Sequence, residues 1–194
     1  MVSDTPQPII AGLDPAIHQG RFFRSGWMAG SSDLFGLNIE PGHDECIPMI
    51  HLRPYRPEDE AAAIDLWHRT WQQAYPQIDF AARLEWWRER WRNDLVPKAS
   101  IVVAEQDGAL IGFVTIDGEG YLDQLVVDPD HWGSDAARLL VDEAKRLSPT
   151  GVTLLVNKDN ARAIRFYERN GFAHAGDDVN PTSGRPVLKM VWRA

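Results

Sequence analysis

The sequence predicts an α/β domain, a mixed and mostly antiparallel sheet with helices on both faces, and three observations predict it. Residues 121–172 alternate strand, helix, strand, helix, strand, with the first helix marked by Ala136, Leu139, Leu140 and Ala144 at i, i+3, i+4 and i+8. Asp107-Gly108 separates two β-branched runs at 100–105 and 110–116, the signature of a hairpin. The chain has 194 residues, 44% hydrophobic and 25% charged, enough for a sizeable core.

Taken in order, residues 1–48 scatter Gly and Pro without period, and no helical or strand pattern persists there. This extension is expected to be disordered or non-native. Its phrases Ala11-Gly12-Leu13-Asp14-Pro15-Ala16-Ile17-His18 and Trp27-Met28-Ala29-Gly30-Ser31-Ser32 resemble the translated product of a bacterial interspersed palindromic repeat. Phe22, Phe23, Trp27, Leu34, Phe35 and Leu37 keep an alternative open, an arm that docks on a partner. Regular patterning begins at Met49, and the domain is expected to span 49–194.

A first strand is predicted at 50–53. Pro57, Glu58, Asp59 and Glu60 then open a helix with acid at its positive end. Its buried stripe is Ala61, Ile64, Trp67, Trp71 and Tyr75, and Pro76 ends it. A second helix at 80–95 places Leu84, Trp87, Trp91 and Leu95 on one face, with Arg83, Glu89, Arg90 and Arg92 elsewhere. The hairpin follows, then a strand at 121–127, a helix at 134–147 and a strand at 152–157. A short helix capped by Asn160 and stopped by Gly171 leads into a strand from Phe172. A last strand at 187–192 follows the turn-like Asn180-Pro181-Thr182-Ser183-Gly184-Arg185-Pro186.

Composition narrows the partners. The net charge is −8, and no Lys/Arg stretch forms a basic groove, which argues against nucleic acid. No apolar run approaches the ~20 residues of a membrane helix, and the N-terminus lacks the basic-then-apolar pattern of a signal peptide. Cys46 is the one cysteine, so neither a disulfide framework nor a cysteine-based metal site is expected. The expected location is the cytoplasm, with no membrane and no metal.

Two segments carry the chemistry. In the first, Val127, Pro129, Gly133 and Ala137 lie where a strand turns into a helix N-terminus, whose free N–H groups and positive dipole end suit an anion. In the second, Asn160, Ala163, Phe166, Tyr167, Gly171 and Phe172 span a short helix and the strand after it. Together they resemble the GNAT superfamily of acetyl-CoA-dependent N-acetyltransferases, whose motifs are V-x-P-x-x-[RQ]-G-x-G-x-[GA] and N-x-x-A-x-x-[FL]-Y-x-x-x-G-F. The second motif matches throughout. The first departs twice: Trp132 replaces the usual Arg or Gln, and Asp135 replaces the middle Gly. The resemblance runs from about Ile50 to Trp192.

The resemblance implies an N-acetyltransferase that moves an acetyl group from acetyl-CoA to a small-molecule or peptide amine. The coenzyme cradle would be Trp132, Gly133, Ser134, Asp135, Ala136, Ala137 and Arg138. Main-chain groups of Leu125, Val126 and Val127 would pair with the pantetheine arm like an added strand. Asn160 would touch the same arm, and helix capping is an equally good account of it. Tyr167 would be the general acid, since a phenol of reference pKa ~10 stays protonated at neutral pH; the plain alternative is a core tyrosine.

Asp123 is the candidate base. Alternation puts Tyr121, Asp123, Leu125 and Val127 on one buried-looking face, where burial would raise a carboxyl pKa, but a structural role is open. Glu119, His131 and His68 are weaker candidates. Asp135 would repel a pyrophosphate if it pointed into the cradle, by about 4 kcal/mol for unit charges ~4 Å apart at an effective dielectric of 20. That keeps a second reading open, a catalytically weak acyl-CoA-binding regulatory module. Trp67, Trp71, Trp87 and Trp91 are expected in the core, while Trp86 falls off that face and could line an acceptor groove. A homodimer stays open.

Overall fold

The computed structural model describes residues 49–180 and 184–194. The 1–48 extension and positions 181–183 of the last turn lie outside the described residues.

Among the described residues, seven strands form two antiparallel sheets. The first has the order β1 (His51–Pro54), β2 (Ala99–Gln106), β3 (Ala109–Asp117) and β4 (Leu122–Val127). The second has the order β5 (Val152–Asn157), β7 (Pro186–Trp192) and β6 (Ala173–Val179). They meet through one parallel bridge, Tyr121 with Thr153, where the Thr153 amide donates to Gly120 O at 2.8 Å. Gly120, at φ +81°, is needed there: a Cβ would stand 2.5 Å from Gly151 O. Beyond that contact β4 is no longer bridged to β5, so the one mixed sheet expected from the sequence is two sheets touching at one end.

The helices flank both faces, each held by a core of different composition. α1 (Glu60–Ala74) ends where Pro76 demands, and α2 (Leu84–Arg90) leads without a break into a π-helical stretch, Trp91–Leu95, and a last turn, α3 (Val96–Lys98). These pack Trp67, Trp71, Trp87, Trp91 and Phe80 against Ile101, Val103, Phe113 and Val126. Trp67 stacks on Trp87 at 4.4 Å, and Trp91 meets Phe113 edge-on at 5.2 Å. On the other face, α4 (Ala136–Leu147) and α5 (Ala161–Arg169) cover Val102, Val114, Leu125 and Val127 with Leu140, Val141, Ala144 and Tyr167. Strand alternation divides the sheet residues between these two cores.

The predicted helix at 80–95 is segmented. A 3₁₀ turn at Ala81–Arg83 precedes α2, and the π stretch widens the last turn. Trp87, Trp91 and Leu95 are nevertheless buried together, because their four-residue spacing suits the wider turn. The helix predicted from Ser134 begins at Ala136, with Asp135 as its N-cap residue, and Ser134 Oγ just outside accepts the Ala136 amide at 3.2 Å. Among the described residues, no helix is long and apolar enough to cross a membrane, and no group of three or more His, Cys, Asp or Glu is arranged for a metal ion.

Candidate active site

The first motif is built by backbone. Asp128 N donates to Ile111 O at 2.7 Å, which fixes the alternation along β4. Val126 therefore hydrogen-bonds toward β3, while the main-chain groups of Leu125 and Val127 face the opposite edge. On that edge the Val127 carbonyl is already engaged: it accepts from Trp132 Nε1 at 3.0 Å and from Thr70 Oγ1 at 3.3 Å. The tryptophan that replaces Arg or Gln thus ties the turn back to the strand it left. The amides of Leu125 and Val127 and the carbonyl of Leu125 are the groups an extended ligand could meet.

The strand leaves β4 through Asp128, whose carboxylate accepts the Asp130 amide at 2.9 Å and Arg69 Nη1 at 2.6 Å. A 3₁₀ turn at Pro129–His131 follows, and Gly133 at φ +90° completes the reversal, a conformation that favours glycine. Asp135 sits in right-handed helical geometry and makes no side-chain cap. Its carboxylate is exposed and pairs with Arg138 Nε at 3.1 Å, and Arg138 also reaches Asp142 at 3.2 Å. Repulsion by an inward-pointing carboxylate is therefore not what this arrangement presents, and Arg138 is shared between two acids. Ala136 is wholly buried and Ala137 is packed on the aliphatic core. A cradle of small residues at a twelve-residue helix N-terminus, turned by a positive-φ glycine, fits a pyrophosphate.

The second motif is realised as a capped helix. Asn160 Oδ1 accepts the Ala163 amide at 3.0 Å, the capping role foreseen for it. Gly171, at φ +79°, closes α5 with its amide on Glu168 O. Tyr167 is wholly buried on the inner face of α5, edge-on to Phe166 at 5.1 Å and to Phe172 at 5.3 Å.

Asp123 requires a correction. β4 carries a bulge: Thr115 pairs with Gln124 and Ile116 with Leu122, leaving Asp123 as the extra residue. Simple alternation therefore fails. Leu122 joins Leu125 and Val127 in the aliphatic core, while Asp123 reaches Arg90 on α2, with Arg90 Nη2 to Asp123 Oδ2 at 2.6 Å. Thr115 Oγ1 takes up the Gln124 amide that the bulge displaces, at 2.9 Å. Asp123 is only 8% exposed, and this burial pushes its carboxyl pKa above the ordinary range, with Arg90 and a hydrogen bond from Gln124 opposing. Tyr121 beside it is pushed up as well, by burial and then by the Asp123 charge.

The weaker base candidates lie elsewhere. Glu119 is exposed on the turn after β3, and His131 stands 3.9 Å from Asp128. His68 lines a separate cavity of about 300 Å³ with Glu60, Asp65, Arg88 and Arg92. Trp86 is partly buried, against Trp87 and beneath Arg90.

Two contributions had no clear signal in the sequence. Arg90 lies off the apolar stripe of its helix, where a solvent-facing position is the natural reading. Tyr75, at the end of α1, meets Asn157, at the end of β5, through Asn157 Nδ2 to Tyr75 Oη at 3.3 Å. Arg185 lies 5.5 Å over the Tyr75 ring. The ends of α1, β5 and the β7 approach thus converge.

Residues 61–172 match the Acetyltransferase (GNAT) family. The peptidyl-lysine N-acetyltransferase YjaB of Salmonella typhimurium is 33% identical over 147 residues, which span 74% of this chain and 99% of that protein. The solution structure of apo-form YjaB from Escherichia coli aligns with a TM-score of 0.60 at 27% identity, covering 74% of this chain and 97% of that one. The fold is also that of the PaiA N-acetyltransferase of Thermoplasma acidophilum, solved in complex with coenzyme A, at a TM-score of 0.60 and 20% identity, over 75% of this chain and 99% of that one. The chain belongs to the acetyltransferase (GNAT) family.

Proposed function

We propose that this protein transfers the acetyl group of acetyl-CoA to the side-chain amine of a peptide lysine. The observation that carries the choice of acceptor is the 33% identity to a peptidyl-lysine N-acetyltransferase over 99% of that relative's length. The buried carboxylate of Asp123 and the aromatic wall of α1 and α2 are consistent with an amine that has an aliphatic stem.

Acetyl-CoA would supply the activated acetyl group. The α4 N-terminus and Gly133 would hold its phosphates, and the outward main-chain groups of Leu125 and Val127 would align its arm along β4. Asp123 would accept the proton of the incoming ammonium, leaving a neutral amine. Tyr167 Oη would supply the proton that the leaving thiolate takes up. Residues 49–194 would carry the whole activity, in the cytoplasm.

Thiol release measured with lysine-containing peptides, free amino acids and small polyamines tests this reading. Peptide acetylation on lysine, confirmed by mass spectrometry, is the expected outcome. Turnover confined to small amines would overturn the choice of acceptor. Acetyl-CoA binding with no turnover on any amine would favour the regulatory module instead.

A further inference from the structure

The Asp123 carboxylate is held by one side chain that the reaction scheme above does not use. Arg90 is the last residue of α2, directly before the π stretch that begins at Trp91. Its guanidinium lies 5.4 Å over the Trp87 ring and 6.0 Å over Trp86, so two indoles support it from its own helix. Nη2 bonds Asp123 at 2.6 Å, and Nη1 is buried with no hydrogen-bond partner among the described residues. Arg90 is 20% exposed and Asp123 10% by side chain, so solvent screens the pair weakly. A surface ion pair would have neither the aromatic shelf nor a nitrogen left dry.

We infer that Arg90 is the positioning residue for Asp123: it fixes the carboxylate on the β4 bulge and keeps it ionised until the acceptor ammonium arrives. The inference rests on the assignment of Asp123 as proton acceptor. In the step itself an N–H bond of the ammonium breaks and an O–H bond forms on Asp123, and the electron pair left on nitrogen becomes the nucleophile. The groups around the carboxylate are Arg90 from α2, Gln124 and Tyr121 from β4 and its approach, and Asp117 from the end of β3, with Asp178 of β6 beyond Tyr121. Arg90 is the cation among them and opposes both burial and the Asp117 charge. Its removal therefore makes the carboxyl harder to ionise, and the protein needs a higher pH to work.

The test compares Arg90→Met, Arg90→Lys and Asp123→Asn. For Arg90→Met the acid limb of the kcat/KM profile should move up by about 1 pH unit or more. Turnover should recover as pH rises, and KM for acetyl-CoA should stay within about twofold of wild type, because the cradle is untouched. Arg90→Lys should fall between the two, since it keeps the charge and loses the planar fork. Carboxyl-carbon NMR of coenzyme-free protein should show the Asp123 titration shifting in the same direction, independently of activity. A folded Arg90→Met, or Arg90→Lys if the former does not fold, with acid limb and Asp123 titration both at wild-type positions overturns the inference. Wild-type turnover in Asp123→Asn overturns the proton-acceptor assignment and the inference with it. Loss of turnover in Asp123→Asn beside an unmoved profile in the Arg90 variants overturns the role of Arg90 alone.

Discussion

The two sides of this domain, which we propose face the coenzyme and the acceptor, are built from different material. On one side, α4 and α5 pack a mainly aliphatic core of Val, Leu, Ile, Ala and Met with Tyr167 and Phe172 as its buried aromatics, and the surface it supports is mostly backbone: a strand edge, a glycine turn and a helix start. On the other, four tryptophans and two phenylalanines fill the space beneath α1 and α2, and the groups that matter are side chains gathered from distant elements. Arg90 and Asp123 are 33 residues apart, and Tyr75 and Asn157 are 82 apart. A site made of backbone tolerates substitution as long as the path of the chain survives. Trp132 and Asp135 do depart from the family motif, yet the turn closes and the helix begins. A site made of side chains has no such latitude, because each group depends on the packing that aims it.

Tyr167 gives the sharpest way to break this contrast, since it is the one side chain of the aliphatic core assigned to chemistry. Tyr167→Phe should lower single-turnover acetyl transfer by roughly 10²–10⁴-fold with coenzyme affinity nearly unchanged. An equal fall in stability and activity would make it a core residue and leave the chemistry to the other side. Next comes the aromatic core. Trp87→Ala removes a ring stacked on Trp67 and lying beneath Arg90, and urea denaturation should show a loss of about 3–5 kcal/mol. The surviving folded fraction should lose turnover more than coenzyme affinity; the reverse would mean that the two sides are not separable.

A smaller effect is expected at the cradle. Asp135→Gly should tighten coenzyme binding, but by roughly fivefold or less, the scale of an exposed ion pair. The carboxylate already points along the helix toward Arg138, and its backbone does not require glycine. Calorimetry showing a hundredfold gain would place the charge inside the cradle after all. Last, a chain beginning at Met49 should melt within a degree or two of the full-length protein and bind coenzyme as well. A drop of several degrees would show that the first 48 residues pack on the domain.

The order of elements was legible because each is a local pattern. Helical stripes, the Asp107-Gly108 turn, the Asn160 cap and the Gly171 stop depend on residues a few positions apart, and the structure has them, although Ala61 of the first stripe is exposed and Ala63, Leu66 and Val141 are buried where the stripes name Ala61 and Leu139. The segmentation of the 80–95 helix was not legible, since an apolar spacing of four suits an α turn and a π turn alike. The face of Asp123 was misread for a related reason. Period-two reasoning assumes an unbroken ladder, and one extra residue opposite Thr115 and Ile116 turns the side chain to the other core.

By itself, then, the sequence determined the fold class, the register of both family motifs and the place of Tyr167 within them, because covalent spacing sets where a strand edge or a helix start can be. Only the tertiary structure decided which charges meet. Asp135 turned to Arg138 one helical turn away, an option local spacing allows but does not choose. Asp123 found Arg90 across 33 residues because a bulge and an aromatic shelf brought them to 2.6 Å. Pairing across such distances depends on how helices settle on a sheet, and no pattern within a single element records it.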